Sequence, residues 1–203
     1  MRPLGLDPAR DAYLHVPAGL RPERSAPLVV AFHGAGGEGR QMLDILTGLA
    51  EAKGFLLLAP DSRGATWDII LDEYGPDVAF VDQAMERVFT EHAVDPARLA
   101  AAGFSDGASY ALSLGLTNGG LFTHVLAFSP GFAAPAEQHG TPRVFVSHGV
   151  GDAVLPVDRC SRRIVPRLQR AGYDIRYHEF DGPHTVPPEI VREALMWFLR
   201  SAG

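Results

Sequence analysis

Leu99-Ala100-Ala101-Ala102-Gly103-Phe104-Ser105-Asp106-Gly107 runs from an apolar stretch into a Gly-x-Ser-x-Gly motif, and a small, apolar segment, Ser109–Thr117, follows it. An apolar run that ends in a tight turn and reopens as a helix predicts a strand–turn–helix unit. A serine at the apex of such a turn sits on strained backbone, and side chains two positions either side would collide, so glycine belongs at 103 and 107. The helix start beyond Ser105 adds free N–H groups and a dipole that favour a developing oxyanion. The motif alone arises often by chance, and its bland alternative is a solvated serine on a glycine-rich turn. Its weight comes from what surrounds it.

Outward from this unit, four further apolar runs lack clean alternation: Leu28–Phe32, Phe55–Ala59, His124–Phe128 and Arg143–Ser147. Such runs suit strands buried on both faces of a parallel sheet. Ile175–Phe180 alternates more, and Ala12–Val16 reads as an edge or hairpin strand. Helical spacing of apolar residues marks Gln41–Lys53, Val78–His92, Arg159–Ala171 and Glu189–Arg200, with Gly54 and Gly172 as stops and Pro187 and Pro188 suited to a first turn. This alternation of strand and helix predicts an open α/β sheet, mostly parallel, with helices on both faces. No repeat or interdomain linker is visible, so residues 1–203 read as one domain. Asp61–Asp77 is the longest stretch without a clear element, and loops of this length in compact domains are often functional.

Composition narrows the function classes. The 203 residues carry a formal charge of −6, which argues against a nucleic-acid face. One cysteine, Cys160, rules out an internal disulfide framework. No apolar leader is visible and no apolar run is long enough to cross a bilayer, so a cytoplasmic chain with no membrane anchor is the expectation. His33 and His148 lie beside strand ends, but no zinc-type spacing surrounds them, so no metal is expected.

A serine hydroxyl needs a base to act as a nucleophile at neutral pH. Among eight histidines, His184 stands out: Asp181-Gly182-Pro183-His184 is a turn between the last strand and the last helix. That puts it at the carboxyl edge of a parallel sheet, as with Ser105. His15 and His178 lie in strands and read as structural, His92 near a helix end reads as solvated, and His124 and His139 have no supporting context. The base in turn needs an orienting carboxylate. Asp152 follows another apolar run in Ser147-His148-Gly149-Val150-Gly151-Asp152 and completes the chain order Ser105, Asp152, His184. Asp158 reads instead as a helix N-cap, and Asp181 is too close in the turn to face His184. His33-Gly34-Ala35-Gly36-Gly37 can bring backbone N–H groups to a substrate carbonyl, with Ala35 and the Asp106 amide as donors. Trp67, Ile70 and Leu71 on the long loop, with Phe132 and Leu155, are candidates for an acyl-contact wall.

These residues resemble the phospholipase/carboxylesterase family of α/β hydrolases, which includes acyl-protein thioesterases. The resemblance rests on the His-Gly-Ala-Gly-Gly loop, the Gly-Phe-Ser-Asp-Gly turn, Asp152 with Leu155-Pro156 behind it and the Gly-Pro-His turn, and it covers the chain from about Leu28 onward. It implies an α/β-hydrolase fold without a large cap domain and a serine hydrolase acting on carboxylic esters or thioesters of small or medium acyl or aryl groups. It implies no cofactor, a small-molecule ester as partner and a monomer or homodimer. The Asp77–Asp82 stretch is also similar to polyhydroxybutyrate depolymerase-like and feruloyl-esterase-like relatives, and Asp106 stands where glutamine is common. Two rival readings remain. Gly34-Ala35-Gly36-Gly37-Glu38-Gly39 matches the G-x-G-x-x-G of dinucleotide-binding proteins, with Asp61 near the position of a ribose-binding acid. A non-catalytic α/β-hydrolase scaffold is the other.

Overall fold

A computed structural model describes residues 2–21, 23–71 and 74–200. The strands are β1 (Arg2–Pro3), β2 (Ala12–His15), β3 (Ala26–Phe32), β4 (Leu56–Pro60), β5 (Val94–Phe104), β6 (His124–Phe128), β7 (Arg143–Gly149) and β8 (Ile175–Phe180). They form one sheet in the order β1-β2-β4-β3-β5-β6-β7-β8. From β4 to β8 every neighbouring pair is parallel, while β1 and β2 run antiparallel at one end. This is the α/β-hydrolase fold.

The unbroken apolar runs have a direct cause: both faces of the sheet are covered. From β3, Leu28, Val30 and Phe32 enter one core and Val29 and Ala31 the other. The first core holds residues of α3 (Pro76–Glu91), α4 (Asp106–Thr117) and α5 (Ser161–Arg170). The second holds residues of α1 (Gly39–Lys53) and α6 (Pro188–Arg200). Gly54 closes α1 at φ 73° and returns its N–H to the Ala50 carbonyl, the left-handed stop that glycine allows without strain.

Differences from the sequence reading are instructive. β5 begins at Val94, five residues early, because Ala26 pairs with Val94 before the register shifts. In that stretch Asp95 accepts the Ala97 N–H and the Arg98 side chain, a local pattern that reads as a turn. Asp61–Asp77 contains a short helix, α2 (Asp68–Leu71). Asp158 caps nothing: Cys160 precedes α5, and Asp158 pairs with Arg162. His92 is not solvated at its tip, since Nε2 is buried with no partner among the described residues. No described helix is long and apolar enough to cross a membrane.

Candidate active site

The turn between β5 and α4 holds Ser105 at φ 57°, ψ −121°. A side chain tolerates positive φ poorly, so the surroundings must enforce it. They do so by proximity. A methyl on Gly103 would drive into the Gly107 carbonyl, and one on Gly107 into the carbonyls of Phe32 and His33. The two glycines let α4 start hard against the ends of β3 and β5. Ser105 N–H donates to the Phe128 carbonyl at 3.0 Å, tying the turn to β6.

Three distant segments converge here. His184 Nε2 lies 2.9 Å from Ser105 Oγ. His184 Nδ1 lies 2.6 Å from Asp152 Oδ2. The Phe104 ring lies against the imidazole, with centroids 4.8 Å apart. Asp152 is buried, and its other oxygen accepts the N–H groups of Val154 at 2.9 Å and Leu155 at 2.8 Å. Burial alone works to raise its pKa, but the hydrogen bonds from His184 and those two amides together outweigh it and hold the carboxyl below its usual value.

His148 is a member of this cluster that sequence reasoning weighed only as a metal ligand. Its Nε2–H faces the Leu155 carbonyl at 2.7 Å and Asp152 Oδ2 at 3.2 Å, and Nδ1 meets Ser161 Oγ at 2.7 Å. Because a carbonyl only accepts, the proton sits on Nε2, and Ser161 donates to Nδ1. The buried carboxylate is thus surrounded by donors. The available signal was the His148-Gly149-x-Gly151-Asp152 spacing at the end of β7.

His33-Gly34-Ala35-Gly36-Gly37 passes directly over the serine: a Cβ on Gly34 would lie 3.4 Å from the Ser105 Cβ. His33 accepts the Ser62 N–H at Nε2, 3.0 Å, and donates from Nδ1 to the Gly34 carbonyl, 2.7 Å. Burial lowers its pKa, which keeps the ring neutral and this tautomer in place. Among the described residues, neither the Ala35 nor the Asp106 N–H has a protein acceptor. Asp61, offered as a ribose ligand by the dinucleotide reading, is buried and accepts the Gly39 N–H at 2.7 Å. Its carboxylate is engaged in holding α1 to the sheet edge. No three His, Cys, Asp or Glu side chains of the described residues gather as a metal site.

The proposed acyl wall is only partly where the sequence placed it. Trp67 is fully buried, stacked on Tyr110 with centroids 4.6 Å apart, and donates from Nε1 to the His33 carbonyl at 2.8 Å. It is core, and it supports the loop from beneath; a tryptophan in a polar stretch reads as a surface contact until its partner is known. Ile70 packs against the same core. The Leu71 side chain lies outside the described residues. Leu155 and Phe132 are half-buried, and Leu155 Cδ2 would lie 3.4 Å from a Cβ on Gly131.

Over 160 residues the chain is 30% identical to feruloyl esterase C of Emericella nidulans, covering 73% of this chain and 57% of that protein. It spans between 36% and 57% of the length of three curated relatives it matches. Its backbone superposes on esterase PE8 with a TM-score of 0.75 at 23% identity, over 95% of this chain and 99% of that one. On the CE1 ferulic acid esterase of Anaeromyces mucronatus, in complex with ferulic acid, the TM-score is 0.72 at 18% identity, over 95% and 85%. No family model matches the chain. The sheet order, the strained turn and the backbone likeness to these esterases agree on the α/β-hydrolase fold.

Proposed function

We propose that this chain is a serine hydrolase of carboxylic esters, working through Ser105, His184 and Asp152. The observation that carries the reading is the pair of contacts on one imidazole, 2.9 Å to the Ser105 hydroxyl and 2.6 Å to the Asp152 carboxylate. His184 takes the hydroxyl proton at Nε2 as Oγ bonds to the substrate carbonyl carbon. Asp152, with its pKa held down, stays ionised and stabilises the imidazolium. The unoccupied amides of Ala35 and Asp106 receive the oxyanion, where removal of one donor typically costs on the order of 10²–10³ in turnover. His184 Nε2 then gives its proton to the leaving alcohol. Water, deprotonated by the same nitrogen, cleaves the acyl-enzyme and restores the hydroxyl.

Similarity to feruloyl esterases favours aryl or medium acyl esters over thioesters. Phe132 and Leu155 are the remaining candidates for acyl contact. The whole described chain acts as one domain without a cap, and a monomer suffices because all three residues come from one chain. Cys160 is buried and unpaired, which suits a reducing cytoplasm.

Labelling with a fluorophosphonate tests the nucleophile. Wild type is modified and Ser105→Ala is not; equal labelling of both overturns the assignment. On 4-nitrophenyl esters, Ser105→Ala loses a factor on the order of 10⁴–10⁶ in kcat.

A further inference from the structure

We propose that a basic cleft beside the Ser105 site is a subsite for a carboxylate carried by the ester substrate; it rests on the esterase reading and adds the class of ester. The cleft has a volume of about 220 Å³ and lies between Phe132 and Ala133 on one side and Arg159, Arg163 and Arg167 on the other, with Ile164 in its lining. The three arginines are four residues apart, from the turn before α5 into the helix, and so share a face.

Like charges at this spacing repel, so an uncompensated row is a cost that stability does not explain. Acids are within reach of α5 but are taken up elsewhere. Arg162 holds both Asp158, at 2.7 Å, and Glu179, at 2.6 Å. Among the described residues Arg159 and Arg163 have no acidic partner. Arg167 donates to the Ala133 carbonyl, which fixes its head against the loop. In a chain of net charge −6, these arginines make a local basic site where the general field would repel an anion.

Two contacts join the cleft to the reacting centre. The Gly131 N–H donates to Ser109 Oγ at 2.9 Å. Ser109 lies one turn of α4 beyond Ser105, about 6 Å along the helix axis. Leu155, whose N–H is held by Asp152, also packs beside Gly131. In this proposal a substrate bonded at Ser105 extends past the half-buried Phe132 and Leu155 and places its acid group among the arginines. Guanidinium forks bind carboxylates in two-point fashion, which suits a terminal acid group.

The test uses two matched pairs. On the acyl side these are mono-4-nitrophenyl adipate and 4-nitrophenyl hexanoate, which differ by a carboxylate in place of a methyl. On the alcohol side they are 4-carboxyphenyl hexanoate and phenyl hexanoate. The ratio of kcat/KM, acidic over neutral, is compared between variants so that intrinsic reactivity cancels. For one pair the ratio falls about tenfold in Arg159→Ala/Arg163→Ala, the scale of a charge-assisted contact. Arg163→Glu lowers it further, Arg159→Lys/Arg163→Lys retains part of it, and Arg170→Ala, outside the cleft, leaves it at the wild-type value. Raised salt shrinks it in wild type. If both ratios are unmoved in the double variant while 4-nitrophenyl hexanoate is still cleaved in a Ser105-dependent way, the subsite is overturned and the esterase reading stands. If wild type cleaves none of the four esters, both fall.

Discussion

The Gly103–Gly107 turn and the Asp61–Asp77 connection meet at a hydrogen bond from Thr66 Oγ1 to Asp106 Oδ2 at 2.6 Å, yet they are held by opposite means. The turn is held by exclusion. Its two glycines sit where backbone carbonyls leave no room for a side chain, and Ser105 keeps a conformation that only close packing enforces. The connection is held by attraction between groups 7 to 14 residues apart within it. Asp77 accepts the N–H groups of Arg63 and Asp68, and Asp68 accepts those of Gly75 and Asp77. Trp67 is buried in the core at its centre. A segment that looks like a free lid in sequence is thus tied down along most of its length. Sterically enforced geometry breaks with the addition of one methyl group, whereas a hydrogen-bonded loop loosens by degrees.

Substitutions test that contrast. Gly107→Ala has the largest expected effect, because the added methyl meets two carbonyls of the main chain, which cannot swing aside. Ester turnover should fall by about 10² or more, since misplacement by an ångström carries that scale of loss. A near-wild-type kcat on 4-nitrophenyl esters would show the turn to be softer than its packing implies.

Asp77→Asn comes next. It removes one of two acceptors for buried amides, and urea denaturation should register a loss of about 1–3 kcal/mol. The loss depends on pH with a definite sign. Burial is the main influence on the Asp77 carboxyl and raises its pKa in the folded state. Its contribution is therefore fully present below the ordinary aspartate value and declines as pH rises through the raised one. The stability gap between wild type and Asp77→Asn narrows over that same interval, and a gap that widens would reverse the assignment.

Thr66→Val is the smallest and sharpest of the three. It cuts a side-chain tie between the two regions without changing volume much, at a cost of about 0.5–1.5 kcal/mol in thermal unfolding. KM for 4-nitrophenyl esters should rise with kcat little changed, because Asp106 keeps its amide in place through α4. An equal fall in kcat would mean that the connection, and not the glycine packing, positions the oxyanion donors.

Legibility followed the same divide. The strands, most helices and the Gly-x-Ser-x-Gly turn depend on near neighbours: buried runs, helical spacing and local collisions. Ser105, Asp152 and His184 each carried a signal in the residues beside them, and their chain order aligned them along one sheet edge. Residues whose roles depend on the folded-back chain are ambiguous in the sequence. Trp67 is equally readable as acyl-contact wall or as core from its neighbours, because its stacking partner, Tyr110, is forty-three residues away. For His148 the His-Gly-x-Gly-Asp spacing hints at Asp152, but its contacts with Leu155 and Ser161 depend on how the following turn folds back.

By itself the sequence determined the strand–helix alternation, the strained turn and the identities of the three residues that meet at it, because glycine collisions and buried periodicity act over a few positions of chain. Tertiary structure alone decided which face of the long connection is buried, how the Asp152 carboxylate is satisfied and which arginines of α5 are left without acids. Those outcomes depend on distances between segments, and such distances exist only once the sheet has brought the segments together.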